Sequence, residues 1–165
     1  PQGEQETGIV DEKAKAVERL SLERTGALIV IERETGLKDY VDVGTTILVK
    51  VNADLIHSIF QKSSSIHDGA VIIQKGWITA ARCFLPFTKN PNFQRLHGTR
   101  HQAAIGLSEE TDAVIIVVSG LTGEISIALN RGKLSRNLDR ESLQKILINV
   151  FQTRKIEVSL ESVSR

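Results

Sequence analysis

Hydrophobic positions along this chain alternate between two periods, and each change of period marks an element. From about Val10 to Arg24, the residues Val10, Ala14, Val17 and Leu20 recur at helical spacing, which predicts an amphipathic helix with one buried face. Gly26 breaks that pattern. Ala27 to Ile31 is then a continuous apolar run, as expected of a strand covered on both faces. Thr45 to Val51 predicts another strand. Asn52 is placed to cap a short helix running to about Lys62, with Leu55, Ile56, Ile59 and Phe60 facing inward. The polar run Ser63-Ser64-Ser65 reads as a loop.

Gly69 to Gln74 and Trp77 to Phe84 read as strands joined at Lys75-Gly76, a hairpin signal. Pro86 to His97 contains two of the three prolines and reads as a loop long enough to be functional. A helix is predicted from about Arg100 to Glu110. Ala113 to Ser119 and Glu124 to Leu129 form a second predicted hairpin across Thr122-Gly123. A last amphipathic helix runs from Asp139 to about Phe151, with Leu143, Ile146, Leu147 and Val150 on one face. The expected organisation is a frayed polar segment over 1–8, one domain over 9–156 and a polar tail over 157–165. Hairpins mixed with helices predict an α/β fold, a mixed sheet packed by helices.

Composition narrows the function classes. The 165 residues suit a single domain, and 41% hydrophobic with 25% charged residues is ordinary for a globular chain. A formal net charge of +1 gives no general attraction to nucleic acid or an anionic membrane, so an anionic ligand needs a local cluster of donors. Cys83 is the single cysteine, which excludes an internal disulfide and fits a reducing compartment. Its apolar setting, Ala80-Ala81-Arg82-Cys83-Phe84-Leu85, predicts a buried, inert thiol. No apolar stretch approaches the about 18 residues a membrane span needs. The chain has no methionine, so it is expected to be a piece of a longer protein from which an upstream membrane anchor was removed.

Two short segments carry chemistry. In Ser65-Ile66-His67-Asp68-Gly69-Ala70, the Asp68 carboxylate suits a divalent cation or a ligand hydroxyl, and Gly69 lets backbone approach a ligand. The same Asp-Gly pair is also ordinary turn chemistry before a strand. Gly98-Thr99-Arg100-His101-Gln102 lies where a loop enters a helix, and free backbone N–H groups with the positive end of the helix dipole favour an anion there. Arg100 adds a forked cation matched to phosphate, and Thr99 a hydroxyl. Thr99 and Gln102 also fit a capping box, which can coexist with an anion site. His97 and His101 straddle the helix start with no third ligand in view, which argues against zinc. The common nucleotide and hydrolase motifs are absent, so any nucleotide bound here is held outside that motif set.

His67-Asp68-Gly69-Ala70-Val71-Ile72-Ile73, followed by Gly98-Thr99-Arg100-His101-Gln102-Ala103-Ala104-Ile105-Gly106, resembles the bacterial diadenylate cyclase domain. Gly26 to Leu37 and Ser108 to Ala113 extend the likeness, which runs from about Arg24 to Leu129 and is nearest the branch that carries this domain behind membrane-spanning helices. The resemblance implies a mixed, roughly seven-stranded twisted sheet flanked by helices. It also implies a cytoplasmic, bacterial, membrane-anchored enzyme that condenses two ATP into cyclic di-AMP with Mg²⁺ or Mn²⁺. Asp68, Arg100 and His101 would be catalytic. Asp68 would hold the metal near the attacking 3′-hydroxyl, with His67 as a second ligand. Gly69 and Ala70 would line the ribose, and Leu85 would meet adenine through its backbone. Gly98, Thr99, Arg100, His101 and Gln102 would surround the triphosphate, and Ser119 would contact the phosphate end. The two-fold symmetry of the product implies a face-to-face homodimer in which each copy supplies half of the active site.

Two departures stand out. The family usually reads Arg-His-Arg where this chain has Arg100-His101-Gln102, and commonly Ser-Glu-Glu where it has Ser119-Gly120-Leu121. One removes a cation near phosphate and the other a carboxylate that helps hold the metal. Each charge-assisted hydrogen bond is worth about 1.5–3 kcal/mol, so the alternative reading is a catalytically weakened domain that binds ATP or a cyclic dinucleotide.

Overall fold

Seven strands form one sheet in the order β2-β4-β3-β1-β5-β6-β7. The structure is a computed structural model and describes residues 2–150. Its elements are α1 (Gln2–Leu22), β1 (Ala27–Ile31), α2 (Lys38–Asp42), β2 (Thr45–Lys50), α3 (Ala53–Ile59), β3 (Ala70–Gln74), β4 (Trp77–Cys83), α4 (Pro91–Leu96), α5 (Thr99–Glu110), β5 (Val114–Val118), β6 (Ile125–Leu129) and β7 (Lys133–Ser135). The last helix among the described residues, α6, occupies 140–150. Among the described residues the β1–β3 pair is parallel and the other pairs are antiparallel, as the mixed α/β expectation requires.

The continuous apolar runs are explained by a sheet covered on both faces. In β1, Ala27, Ile29 and Ile31 join the core under α1, α3 and α6, where Val17, Leu20, Ile56, Phe60, Leu143 and Leu147 are buried. Leu28 and Val30 point the other way, into a second core with Ala103, Ala104 and Leu107 of α5. β5 divides in the same way, with Ile115 and Val117 facing α5 and Val114, Ile116 and Val118 facing α1. Each such Ile or Leu contributes about 1.5–3 kcal/mol by leaving water. The β3–β4 hairpin turns at Lys75 and Gly76 with φ of 49° and 81°. Two successive left-handed residues match the right-handed twist of the flanking strands.

Several expectations need correction. α1 begins at Gln2, so helix extends back through a segment expected to be frayed. α2 and β7 were not expected. The expected loop from Pro86 to His97 contains α4, whose start has both standard signals. Asn90 accepts a hydrogen bond from the Asn92 backbone at 3.0 Å, and Pro91 occupies the first turn, where a missing N–H is harmless. Phe151 and the expected tail lie outside the described residues.

Candidate nucleotide site

The site residues converge because four strand ends share one edge of the sheet. Ala27 at the start of β1 pairs with Val118 at the end of β5, and Ala70 at the start of β3 pairs with Cys83 at the end of β4. β3, β1 and β5 are adjacent, so the loops leaving them lie within about 10 Å of one another.

Above β3 sit His67 and Asp68. Nδ1 of His67 donates to the Ser64 carbonyl at 2.7 Å, which leaves Nε2 as the ring atom open to another partner. That Nε2 lies 3.4 Å from Oδ1 of Asp68, and the Asp68 side chain is two-thirds exposed. A nitrogen and a carboxylate oxygen this close can share one cation. No cluster of three or more such donors exists among the described residues. Two such donors with open positions would suit a hard divalent cation such as Mg²⁺ or Mn²⁺ whose other ligands come from outside the chain. Gly69 has φ of 79°, and a Cβ there would come within 2.9 Å of the Cys83 carbonyl, so both conformation and space demand glycine.

Ala70 and Leu85 both belong to the core that packs on α5, so their side chains face protein and only their backbone is offered to a ligand. Phe84 and Phe87 on either side of Leu85 are more than half exposed. Burial pushes the Cys83 thiol up to about 11, in keeping with the inert role expected of it.

Over β1 and β5 stands the first turn of α5. Gly98 is its N-cap, with extended backbone and no side-chain cap bond, and its carbonyl accepts from the Gln102 backbone at 3.0 Å. Thr99 is therefore already helical, and the expected Thr99–Gln102 capping box is not formed. Nε2 of Gln102 instead donates back to the carbonyls of His97 at 2.8 Å and Gln94 at 3.3 Å. The first-turn N–H groups are thus left without a capping side chain, as an anion site requires. The Arg100 guanidinium lies against Gly26 and near Gly120, with no hydrogen bond or ion pair among the described residues. His101 is half-buried, and its Nε2 is buried without a hydrogen-bond partner. Burial, then the neighbouring His97, holds its pKa below the ordinary histidine value, so the ring is neutral at pH 7. Ser119 Oγ accepts from the Leu121 and Thr122 backbones at 3.2 Å, capping the β5–β6 turn while its O–H remains free to donate.

Sequence reasoning missed two features. Gly26 and Gly120 meet Arg100, although nothing in their spacing announces it. Glu124, paired with Arg136 at 2.9 Å, acts electrostatically on both His97 and His101.

Known proteins share this fold. The family model described as "DisA bacterial checkpoint controller nucleotide-binding" matches residues 14–134. The chain is 39% identical over 159 residues to the cyclic di-AMP synthase CdaA of Bacillus subtilis, covering 96% of this chain and 58% of that protein. It therefore spans little more than half of that relative's length. The crystal structure of a double mutant of DacA from Staphylococcus aureus is similar with TM-score 0.84 at 38% identity, over 90% of this chain and 97% of that one. The crystal structure of a hypothetical membrane spanning protein from Bacillus cereus matches with TM-score 0.74 at 42% identity, over 78% of this chain and 62% of that one. The family match over most of the chain, together with these identities, means that the chain belongs to the DisA bacterial checkpoint controller nucleotide-binding family, the family of the diadenylate cyclases.

Proposed function

We propose that this chain is the catalytic domain of a diadenylate cyclase, joining two ATP molecules into cyclic di-AMP and releasing two pyrophosphates. The observation that carries the reading is the uncapped, Arg100-bearing start of α5 lying beside the His67–Asp68 loop on one sheet edge. The first supplies N–H donors and a forked cation for a triphosphate. The second supplies donors for a divalent cation, which would neutralise phosphate charge when bound.

In each half-reaction, the 3′-oxygen of one ATP forms a bond to the α-phosphorus of the other. The bond from that phosphorus to the β-phosphate oxygen breaks, and pyrophosphate leaves with the electron pair. The Asp68 carboxylate stands where the 3′-hydroxyl proton is released. Gly69 and Ala70 offer backbone to the ribose, Leu85 offers backbone to adenine, and Gly98 to Gln102 with Ser119 surround the phosphates. One chain holds one ATP, so the reaction needs a face-to-face homodimer, and catalysis rests on positioning the two nucleotides. No helix among the described residues is long and apolar enough to cross a membrane. The likeness to CdaA and to the B. cereus protein supports a parent anchored in a bacterial membrane, with this domain on the cytoplasmic side where ATP is found.

A second reading is a binding domain with weakened turnover. It is favoured by Gly120 and Leu121, which bring no carboxylate to the β5–β6 turn. Incubation with ATP and Mn²⁺ followed by chromatography separates the two. Cyclic di-AMP and pyrophosphate in a 1:2 ratio are expected; ATP bound but unconsumed would favour the second reading, and no ATP binding would overturn both.

A further inference from the structure

We infer that Gly26, with Gly120 beside it, is a positioning residue that holds the Arg100 guanidinium in a berth free of side chains. The inference rests on the reading of Arg100 as a triphosphate ligand and adds what fixes its geometry.

A Cβ built on Gly26 would be in severe overlap with Cζ and Nη1 of Arg100 and 2.5 Å from Nη2. The overlap is closest at Cζ, the centre of the fork, so the planar group lies face-on against Gly26 and not edge-on. Gly120 lies beside Gly26 at the Nη1 end of the group. A Cβ there would sit 3.4 Å from the Gly26 nitrogen and 3.6 Å from Nη1 of Arg100. Face-on stacking on main chain leaves the N–H edges of the fork unobstructed, and Arg100 uses none of them on a partner among the described residues. Its donors are thus free for a ligand, while its plane rests on the main chain at Gly26.

Backbone conformation does not account for Gly26. Its φ is outside the left-handed region, unlike those of Gly69, Gly76, Gly123 and Gly132. Helix α1 ends without its help, since the Thr25 backbone already donates to Leu20 at 2.8 Å. What the position requires is the absence of a side chain. The obstructed group is the far end of a flexible arginine, so alanine at this position displaces Arg100 and leaves the core alone.

The test is Gly26→Ala in the intact chain, set in a double-mutant cycle with Arg100→Ala. Gly26→Ala is expected to keep the melting temperature and circular dichroism of the parent. It should weaken ATP binding by about tenfold or more, the scale of one charge-assisted hydrogen bond, and leave adenosine binding unchanged. In the Arg100→Ala background the same change should add nothing. If Gly26→Ala does not fold, the unmodified chain still tests the berth: without ATP its Arg100 Nε–H should exchange slowly, and fast exchange overturns the berth. The Nε–H resonance of Arg100 reports the berth without ATP and should shift and exchange faster in Gly26→Ala. An unmoved resonance, or an equal effect of Gly26→Ala with and without Arg100, overturns the berth. If Arg100→Ala itself leaves ATP affinity unchanged while the resonance moves, the berth stands and the triphosphate assignment of Arg100 fails.

Discussion

The side-chain amide of Gln102 donates to the His97 carbonyl at 2.8 Å, so a residue of α5 closes over the end of α4. The tie is reinforced from both sides. The Thr88 backbone donates to the Gln102 carbonyl at 3.0 Å, and Nε2 of Gln94 donates to the Thr88 carbonyl at 2.7 Å. His97, held in this way, stacks on Phe93 with ring centroids 4.0 Å apart and lies 5.9 Å from the ring of His101. Gln102 thus acts as a latch on the segment that leads into the phosphate-facing turn, which gives its departure from arginine a structural meaning.

Gln102→Glu should therefore destabilise more than Gln102→Arg. Glutamate sets a carboxylate against two carbonyl oxygens and loses both hydrogen bonds, a loss of about 1–3 kcal/mol. Arginine keeps donors at the same place. Thermal melts rank the two, and limited proteolysis within residues 86–98 should accelerate only in the glutamate variant. Equal melting temperatures would show that the latch contributes nothing.

Asp68→Asn should abolish cyclisation in a folded protein. The side chain is two-thirds exposed and its side-chain neighbour is His67 at 3.4 Å, so the fold has little stake in it. Loss of a residue that handles a proton and a metal is expected to cost at least about 100-fold in rate. Product formation at the parental rate by a folded Asp68→Asn protein would remove Asp68 from the chemistry.

Much of this was legible from residue order, for identifiable reasons. The strands were legible because a sheet covered on both faces turns Ala27–Ile31 and Val114–Val118 into unbroken apolar runs. The Asn52 cap was legible because its signal is local, and Asn52 accepts from the Leu55 backbone at 2.7 Å as expected. α4 has an equally local signal in Asn90-Pro91, but Pro86 and Pro91 within six residues fit loop punctuation just as well. The capping box failed by one residue: Gly98 caps the helix, and Gln102 turns back toward His97. The Arg100 berth had no local signal at all. It exists because β1 and β5 pair in a register that sets Gly26 beside Gly120, and a three-dimensional pairing leaves no trace in spacing.

Lys13 should make stability depend on pH on the alkaline side. It is 2% exposed on α1, and burial lowers its pKa from 10.5 to about 8. Below about pH 8 both states are protonated and the full burial penalty applies. Between about 8 and 10.5 the unfolded chain holds a proton that the folded one lacks, so stability rises with pH, by at most about 3 kcal/mol. Lys13→Met should remove that rise. Urea denaturation at a series of pH values gives the difference between the two proteins, in which other titrating groups cancel. The advantage of the variant at pH 7 should shrink toward pH 10.5, and a constant difference would show that Lys13 does not titrate in this range.

Two glycine-to-alanine changes should act in opposite directions. Gly8 lies within α1 and is exposed, and a Cβ there meets nothing within 4 Å. Alanine is favoured over glycine in a helix interior by about 1 kcal/mol, so Gly8→Ala should raise the melting temperature. Gly106 lies within α5 and offers the same propensity gain. There, however, a Cβ would strike the Pro86 carbonyl and approach the Phe87 carbonyl carbon to 2.7 Å. That obstacle is main chain, fixed one helical turn away by the bond from Thr88 to Gln102, so it cannot swing aside as a side chain would. Overpacking of this kind costs about 1–3 kcal/mol and outweighs the propensity gain. Gly106→Ala should therefore lower the melting temperature and, by pushing the Leu85–Thr88 segment off α5, weaken ATP binding. Calorimetric melts and ATP titration of both variants check the pair. A Gly106→Ala protein as stable as the Gly8→Ala protein would show that the segment yields and that its contact with α5 does not fix the adenine side of the site.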